Sequence, residues 1–310
     1  MKKKANVIIL AGFLGSGKTT LLKQLLAYEK EQNHKTAVLM NEIGKVSIDS
    51  DSVPEDVPLK ELLNGCICCS LSDQLEKQLF GLCKENELDT LIIEATGVAH
   101  PVDVLDACLS PYLIDDLQVS GIISIMDAPR WLDRESMNVQ ARMLMLEQVK
   151  HADYIVWNKT SGLTEKEKML LTNDAIRLNE GTPFALTDFA KVELSQLFTL
   201  SLKKRSEHQS VSTDKLKVKT FIFSFKGSIN KELFESWLRN VPSSIYRIKG
   251  YIQFVNQIYL FQYSYGLPTY EKELMKMPLR LVFIGEDLDP DQLTRGLSEV
   301  ETKSKERKHL

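Results

Sequence analysis

A glycine-rich segment near the N-terminus carries the residue types that bind phosphate. Residues 12–20 read GFLGSGKTT, which fits G-x-x-x-x-G-K-[ST], with a strand predicted before it and a helix after it. Glycines let successive backbone N–H groups face one anion, and the helix N-terminus adds a positive dipole. Lys18 is expected to reach the β and γ phosphates of a nucleotide, and the Thr19 hydroxyl to bind magnesium. The alternative is a chance glycine-rich turn before a core helix. The candidate nucleotide-binding residues here are Gly12, Gly15, Ser16, Gly17, Lys18, Thr19 and Thr20.

An acidic residue at the end of a later strand is the second requirement of such a site, because it helps to hold magnesium. The run LIIEATG at residues 91–97 is an apolar strand that ends in Glu94. The amide of Gly97 could approach the γ phosphate. We therefore predict Lys18, Thr19, Glu94 and Gly97 as the catalytic set. Asp127, at the end of the next predicted strand, is a weaker candidate for the carboxylate, and a solvated loop acid is the alternative interpretation of Glu94.

Asn158 and Lys159 follow the apolar run IVW at residues 155–157 and are candidates for binding the base of the nucleotide. In GTPases this pair usually opens N-K-x-D, whose carboxylate accepts hydrogen bonds from the guanine ring N–H and amino group. Ser161 stands where that Asp is expected. Because a hydroxyl carries no charge, losing one charge-assisted hydrogen bond should weaken guanine preference by about 1.5 to 3 kcal/mol, or roughly ten- to a hundredfold.

Three cysteines lie within four residues, at Cys66, Cys68 and Cys69. Converging thiolates suit a soft or borderline metal such as Zn(II) or Cu(I), with a fourth ligand from elsewhere or from water. Buried packing residues are an equal alternative. Redox chemistry is a third, although adjacent cysteines close into a disulfide only with strain. Cys83 and Cys108 lie in apolar helical patterns and are predicted to be core thiols.

The elements that must position these residues alternate between short apolar strands and amphipathic helices up to about residue 200. This pattern predicts an α/β fold, a P-loop NTPase with a mostly parallel sheet and helices on both faces. The predicted strands are Val7–Leu10, Thr36–Met40, Thr90–Glu94, Gly121–Asp127, Tyr154–Trp157 and Phe184–Leu186. The predicted helices are Lys18–Glu31, Leu71–Glu85, Pro101–Cys108, Asn138–Lys150 and Thr164–Leu178.

A second, smaller α+β domain is predicted after a polar stretch, KKRSEHQSVSTDK, in which apolar residues follow neither the helical nor the strand period. The domain boundaries are 1–202 for the nucleotide-binding domain, 203–215 for the linker and 216–310 for the C-terminal domain. The predicted strands of the second domain are Val218–Phe225, Tyr246–Asn256, Ile258–Tyr263 and Leu279–Ile284; its predicted helices are Asn230–Arg239 and Asp289–Leu297. The charged tail Glu299–Leu310 is predicted to be frayed.

Composition excludes several classes of protein. The 310 residues carry a net charge of −3, so a dedicated nucleic-acid binder is not expected. The lysine-rich start followed by an apolar run resembles a secretory signal, but no small-residue cleavage site follows and cleavage would destroy the phosphate loop. With no apolar stretch long enough to span a bilayer, we expect a cytoplasmic protein that binds no membrane.

Taken together, the motifs resemble the CobW-like P-loop GTPases, relatives of the nickel-insertion GTPases that include zinc metallochaperones. The resemblance covers nearly the whole chain. It rests on GFLGSGKTT at 12–20, NEIG at 41–44, GCICC at 65–69, EATG at 94–97, NKT at 158–160, RIKG at 247–250 and LVFIGEDLDPDQL at 281–293.

The resemblance implies a GTP- and Mg²⁺-dependent metal chaperone in which Cys66, Cys68, Cys69 and the switch-region acid Glu42 hold Zn²⁺ or a similar ion for a client metalloprotein. Nucleotide would order the loops around Glu42 and Glu94, and hydrolysis would reset the metal site. Whether the protein forms a homo-oligomer is left open.

Lys45 stands where the family commonly has a second Glu, Ser161 replaces the base-reading Asp, and the five histidines form no tract. No Gln or Arg is evident to orient water or neutralise the transferring phosphate, so hydrolysis should be slow. Two alternatives remain: an ATP-dependent enzyme acting on a small molecule, and a metal-binding module whose affinity is tuned by nucleotide without significant turnover.

Overall fold

The computed structural model describes residues 3–40, 59–61, 71–95, 97, 100–200, 219–264, 266–285 and 288–307. The chain forms two compact units, one comprising residues 1–109 and 113–215, the other residues 110–112 and 216–310. The predicted linker, residues 203–215, lies outside the described residues. None of the described helices is long and apolar enough to cross a membrane.

The first unit is built on a parallel sheet. Its strands are β1 Ala5–Ala11, β2 Thr36–Met40, β3 Leu59–Glu61, β4 Thr90–Glu94, β5 Leu117–Asp127, β6 Tyr154–Asn158 and β7 Phe184–Leu186. Their spatial order is β3-β2-β4-β1-β5-β6-β7, and every neighbouring pair is parallel. Central strands covered on both faces read as continuous apolar runs, as β1 and β4 do. The predicted α/β fold class is confirmed.

Helices cover both faces of this sheet. They are α1 Lys18–Glu31, α2 Leu71–Glu85, α3 Pro101–Cys108, α4 Ala128–Leu132, α5 Val139–Lys150, α6 Glu165–Leu178 and α7 Leu194–Phe198. Along β6, Tyr154 and Val156 pack in the cluster that holds the α1 leucines. Ile155 and Trp157 pack in a second cluster with residues of α4, α5 and α6. This alternation follows from the two-residue period of a strand and gives the sheet a core on each face.

The described part of the second unit is an antiparallel sheet with two helices. Its strands are β8 Lys219–Ser224, β9 Ile245–Phe254, β10 Gln257–Ser264, β11 Leu267–Glu273 and β12 Arg280–Gly285, and its helices are α8 Lys231–Leu238 and α9 Pro290–Glu306. The sheet order is β11-β10-β9-β12-β8. The apolar side chains of the predicted strands and helices form its core, which includes Phe234, Phe261 and Phe283. The predicted smaller α+β domain is therefore also confirmed.

Several short elements were not predicted: β3, α4, α7 and β11. Strand β11 reads LPTYEKE, and no residue in it is buried. It contains Pro268 and, among the described strands, pairs with β10 alone, as expected of an edge strand. A strand with no buried face lacks the apolar alternation that sequence patterns detect.

The prediction of a frayed tail was wrong for residues 299–306, which continue a helix; residues 308–310 lie outside the described residues. Helix α9 runs to Glu306, and its later turns bury Val300, Glu301 and Ser304. Glu301 accepts a hydrogen bond from the backbone N–H of Lys226 at 2.6 Å, and the Ser304 hydroxyl accepts one from the N–H of Asn230 at 2.8 Å. Two polar residues of the tail therefore accept hydrogen bonds from the segment between β8 and α8, a contact that the charged composition of the tail does not reveal.

Because the last turns of α9 are packed against the second unit, they should contribute to its stability. Val300 is 5% exposed, so Val300→Ala should destabilise the second unit by about 1–3 kcal/mol through lost burial and a cavity. In hydrogen exchange, amides of residues 300–306 should be protected in the wild type and should exchange faster in the variant. Lys303→Ala, which removes only a surface ion pair with Glu299, serves as the control. Unprotected amides in the wild type would restore the frayed-tail prediction.

Candidate functional site

The loop between β1 and α1 has left-handed backbone at its glycines. The φ angles of Gly12, Gly15 and Gly17 are 143°, 78° and 113°. A Cβ at Gly12 would collide with the backbone oxygen of Ile125, and one at Gly17 with the side-chain amide of Asn158. Glycine at these two positions lets the loop lie directly against β5 and the carboxyl end of β6.

Lys18 begins α1 and folds back over the loop. Its Nζ donates to the backbone oxygen of Gly12 at 2.9 Å and to that of Phe13 at 3.4 Å, and the residue is 7% exposed. Thr19 is half-buried and Thr20 is exposed in the same helical turn. Helix α1 has no side-chain cap and no acidic residue in its first turn. The positive end of the helix dipole and the Lys18 ammonium group therefore adjoin one loop, an arrangement that suits an anion.

Glu94 lies at the end of β4, directly beside the loop-bearing strand. It pairs in register with Leu10 of β1, and the next residue, Ala95, donates its N–H to the Leu10 oxygen at 2.9 Å. The carboxylate residue is 8% exposed. A Cβ added at Gly97 would lie 2.8 Å from the backbone nitrogen of Leu14. The turn after β4 thus touches the phosphate-binding loop, as the predicted roles of Glu94 and Gly97 require.

The weaker magnesium candidate, Asp127, is used for other contacts. Its Oδ1 accepts from the Arg130 N–H at 3.1 Å and caps α4, while its Oδ2 pairs with Lys159 Nζ at 2.6 Å. The Arg130 guanidinium lies 4.9 Å from the centre of the Phe13 ring and donates to the Leu14 oxygen at 3.4 Å. An arginine against the loop was not identified from the sequence, since α4 was not predicted.

Asn158 joins two loops at the carboxyl edge of the sheet. Its side-chain N–H donates to the Ser16 oxygen at 2.8 Å, and its Oδ1 accepts from the Ala190 N–H at 2.9 Å. Asn158 is 3% exposed and Ser16 is fully buried. A buried amide with both its donor and its acceptor satisfied holds its neighbours in place. The phosphate-binding loop and the segment after β7 are therefore fixed to each other.

Asp188 is a second residue that sequence reasoning missed. Its Oδ1 accepts a hydrogen bond from the backbone N–H of Ser161 at 3.1 Å, so a carboxylate lies beside the position where the N-K-x-D acid is absent. Thr160 ties the two segments together further, because its N–H and its hydroxyl donate to the Thr187 oxygen at 3.2 Å and 3.1 Å. The available signal was an acid soon after the predicted strand 184–186.

The structure thus assembles part of the predicted site. The loop glycines, Lys18, Glu94, Gly97 and Asn158 lie along one edge of the sheet. Lys159 points to Asp127 at the same edge. The predicted metal ligands Glu42, Cys66, Cys68 and Cys69 lie outside the described residues. The other two cysteines, Cys83 and Cys108, are buried in the core, as predicted, and burial raises the pKa of Cys108 far above its usual value.

Two family models match the chain. CobW/HypB/UreG, nucleotide-binding domain, matches residues 6–185, and the cobalamin synthesis protein cobW C-terminal domain matches residues 218–301.

Curated relatives are similar to parts of the chain. The zinc chaperone YjiA of Escherichia coli (strain K12) is 36% identical over 199 residues, which cover 62% of this chain and 60% of that protein. Zinc-regulated GTPase metalloprotein activator 1 of Dictyostelium discoideum is 27% identical over 303 residues, covering 80% of this chain and 63% of that protein. The matches therefore span less than two thirds of these relatives. The crystal structure of Zn(II)-bound YjiA GTPase from E. coli has a TM-score of 0.50 at 22% identity, covering 96% of this chain and 99% of that one, a likeness of fold.

Proposed function

This chain belongs to the CobW/HypB/UreG family of nucleotide-binding domains, and on that premise we propose that it is a GTPase that binds zinc or a similar ion and delivers it to a client metalloprotein. The observation that carries the nucleotide part is the convergence of the phosphate-binding loop, the Glu94–Gly97 turn and Asn158 at one edge of the sheet. The names of the relatives, zinc chaperone and zinc-regulated GTPase, support the metal part.

The loop and Lys18 would bind the phosphates of the nucleotide. The N–H groups around Gly15 and Gly17, together with the Lys18 ammonium group, would hold the β and γ phosphates, and the Gly97 N–H would face the γ phosphate. The Thr19 hydroxyl and the Glu94 carboxylate are oxygen donors of the kind that Mg²⁺ prefers. Bound there, the ion would offset the negative charge of the phosphates.

Guanine recognition would depend on Asn158 and on Asp188 in place of the missing N-K-x-D acid. The Asp188 carboxylate is half-buried, and its Oδ1 is held by the Ser161 N–H. Among the described residues, Oδ2 makes no hydrogen bond. A carboxylate oriented in this way can accept from the ring N–H and the amino group of guanine, which restores the charge-assisted contact that Ser161 cannot make. Such a contact would favour GTP over ATP.

The rate of hydrolysis is expected to be low. Arg130 is beside the loop, but its guanidinium group stacks on Phe13 and donates to the Leu14 backbone oxygen. In this position it reinforces the loop and does not replace a cation aimed at the transferring phosphate. A client or a second protein could supply that charge, as activating partners of other GTPases do.

Metal binding is assigned to the cysteine cluster with Glu42, on the sequence and the family. Thiolates suit Zn²⁺, and an incomplete ligand shell suits transfer to a client. Glu42 follows β2 by two residues in the sequence, and β2 pairs with β4, the strand that ends in Glu94. A nucleotide-dependent change at Glu94 would therefore affect the segment that contains Glu42. Two sites joined in this way must influence each other reciprocally.

A zinc titration against a competing chelator tests this proposal. Zinc is added to the metal-free protein in the presence of Mg-GTP, Mg-GDP, Mg-ATP or no nucleotide. We expect zinc affinity to differ between the GTP and GDP states by about 5–150-fold, a usual range for coupled sites. The shift should vanish when Cys66, Cys68 and Cys69 are changed to Ser, and it should persist in Cys83→Ala, which removes a thiol from the core.

Two other outcomes would replace the proposal. Equal zinc affinity in every nucleotide state, without measurable turnover in the presence of client and metal, would favour the binding module. A shift seen with ATP alone would favour an ATP-dependent enzyme.

A further inference from the structure

His100, Glu147 and His151 form a cluster of metal-ligating side chains apart from the cysteines. His100 is the N-cap of α3, Glu147 lies in the last turn of α5, and His151 is the C-cap of α5. His151 Nε2 lies 3.0 Å from Glu147 Oε2, and His100 Nε2 lies 3.7 Å from the same oxygen. One ligand atom from each residue falls within 4.8 Å of the others.

These separations are compatible with the ligand shell of a metal ion. A tetrahedral Zn²⁺ with bonds of about 2.0–2.1 Å places its ligand atoms about 3.3 Å apart, and the two observed distances lie on either side of that value. The side chains of His100, Glu147 and His151 are 37%, 30% and 9% exposed. The cluster is thus open enough to admit an ion while one histidine is held by packing.

We propose that His100, Glu147 and His151 form a second metal site, which takes a divalent ion of the zinc class through two imidazoles and one carboxylate. Two histidines and a glutamate leave a fourth position for water or for a ligand from another molecule. Imidazole and carboxylate ligands are harder than thiolates, so this site differs in chemistry from the cysteine cluster. It is defined by its own geometry and does not depend on the proposed GTPase activity.

The carboxylate is already in the form that a metal requires. The neighbouring imidazole of His100, and then that of His151, hold the pKa of Glu147 well below its usual range. Lys150 Nζ pairs with the other oxygen, Oε1, at 2.9 Å. Oε2 therefore faces the two imidazoles as a charged ligand, and Lys150 orients the carboxylate.

Binding has a cost that sets the expected affinity below that of a thiolate site. His100 Nδ1 accepts a hydrogen bond from the Val102 N–H at 3.3 Å, so the neutral ring carries its proton on Nε2. A metal on Nε2 requires the proton to move to Nδ1, which ends that helix cap. His151 Nδ1 is buried and has no hydrogen-bond partner among the described residues. A metal on Nε2 of His151 would likewise move the ring proton to Nδ1, which would then be a buried N–H donor without an acceptor among the described residues.

The cluster adjoins the nucleotide site through the neighbouring residue of α5. Gln148 Nε2 donates to the Gly97 oxygen at 3.4 Å, and Gly97 in turn packs against the backbone of Leu14. His100 lies on the same stretch of chain as Gly97. Gln148 of α5 already contacts Gly97, and an ion would join His100 to the end of α5. Both residues would then be held against the same helix, next to the phosphate-binding loop.

Cobalt titration in a background without the cysteine cluster tests the site. With Cys66, Cys68 and Cys69 changed to Ser in the full-length protein, Co²⁺ should still bind at one site per chain, with visible d–d bands and without thiolate charge-transfer bands. Zn²⁺ should displace it. Adding His100→Ala or Glu147→Gln should weaken Co²⁺ binding at least tenfold, whereas His34→Ala, which removes the histidine of another His–Glu pair, should leave it unchanged.

Thermal unfolding followed by circular dichroism shows which variants are folded, and His100→Gln replaces His100→Ala if the latter is not. The proposal is overturned if the protein without the cysteine cluster binds no Co²⁺, or if the His100 and Glu147 variants bind it as tightly as His34→Ala does. Neither result depends on GTP hydrolysis, so a failure of this proposal is distinct from a failure of the proposed function.

Discussion

Asp188→Asn should shift the nucleotide preference of this protein from GTP towards XTP. Guanine offers a ring N–H and an amino group as donors, both suited to a carboxylate, whereas xanthine has a carbonyl oxygen in place of the amino group. The Asn amide can accept from the ring N–H and donate to that oxygen. GTP affinity should fall roughly ten- to a hundredfold through loss of a charge-assisted pair, and XTP affinity should rise. Competition of GTP, XTP and ATP against a fluorescent GDP analogue measures both changes.

The matched controls separate base recognition from loop stability. Glu193→Gln removes a charge from an exposed acid near Asp188 that accepts a hydrogen bond from Ser195, and it should leave the preference unchanged. The double variant Ser161→Asp with Asp188→Ala returns the carboxylate to the N-K-x-D position and should recover GTP binding. If Asp188→Asn changes GTP and ATP affinity equally, the carboxylate does not read the base.

Lys18→Ala should lower kcat/KM for GTP hydrolysis by at least about a hundredfold, the usual effect of removing one donor aimed at developing charge. Lys18 is 7% exposed, and its ammonium group donates a hydrogen bond to the Gly12 oxygen of the loop. Lys18→Arg should not restore the activity, because a planar guanidinium group is wider than an ammonium group and presents its donors differently. Steady-state release of phosphate measures the effect.

Lys23→Ala is the control for this substitution, because Lys23 is an exposed lysine in the same helix. Its kcat/KM should stay near that of the wild type. Lys18→Ala also removes two hydrogen bonds to the loop, so the thermal midpoint of each variant is compared in parallel. Full activity of a folded Lys18→Ala variant would show that the loop does not hold the phosphates in the way proposed.

Much of the fold follows from local patterns in the sequence. The predicted bounds of α1, α2 and α3 agree with the structure. The helix predictions that began at Asn138 and Thr164 started at the N-caps, since the side chains of both residues accept from the helices that follow. Such features depend on residues a few positions apart, within reach of apolar periodicity and capping chemistry. The phosphate-binding loop was predictable for the same reason, because one short segment contains the whole motif.

The remaining parts of the candidate site depend on contacts between distant segments. Asp188 lies 27 residues from Ser161, and the two meet because β6 and β7 are parallel neighbours. Gln148 reaches Gly97 across 51 residues, and His100 meets Glu147 through the same approach of α5 to the turn after β4. By itself, the sequence determined the family, the phosphate-binding loop and the order of strands and helices. Only the tertiary structure decided which carboxylate adjoins the base-reading strand and which histidines converge, because strand pairing and helix packing set those distances.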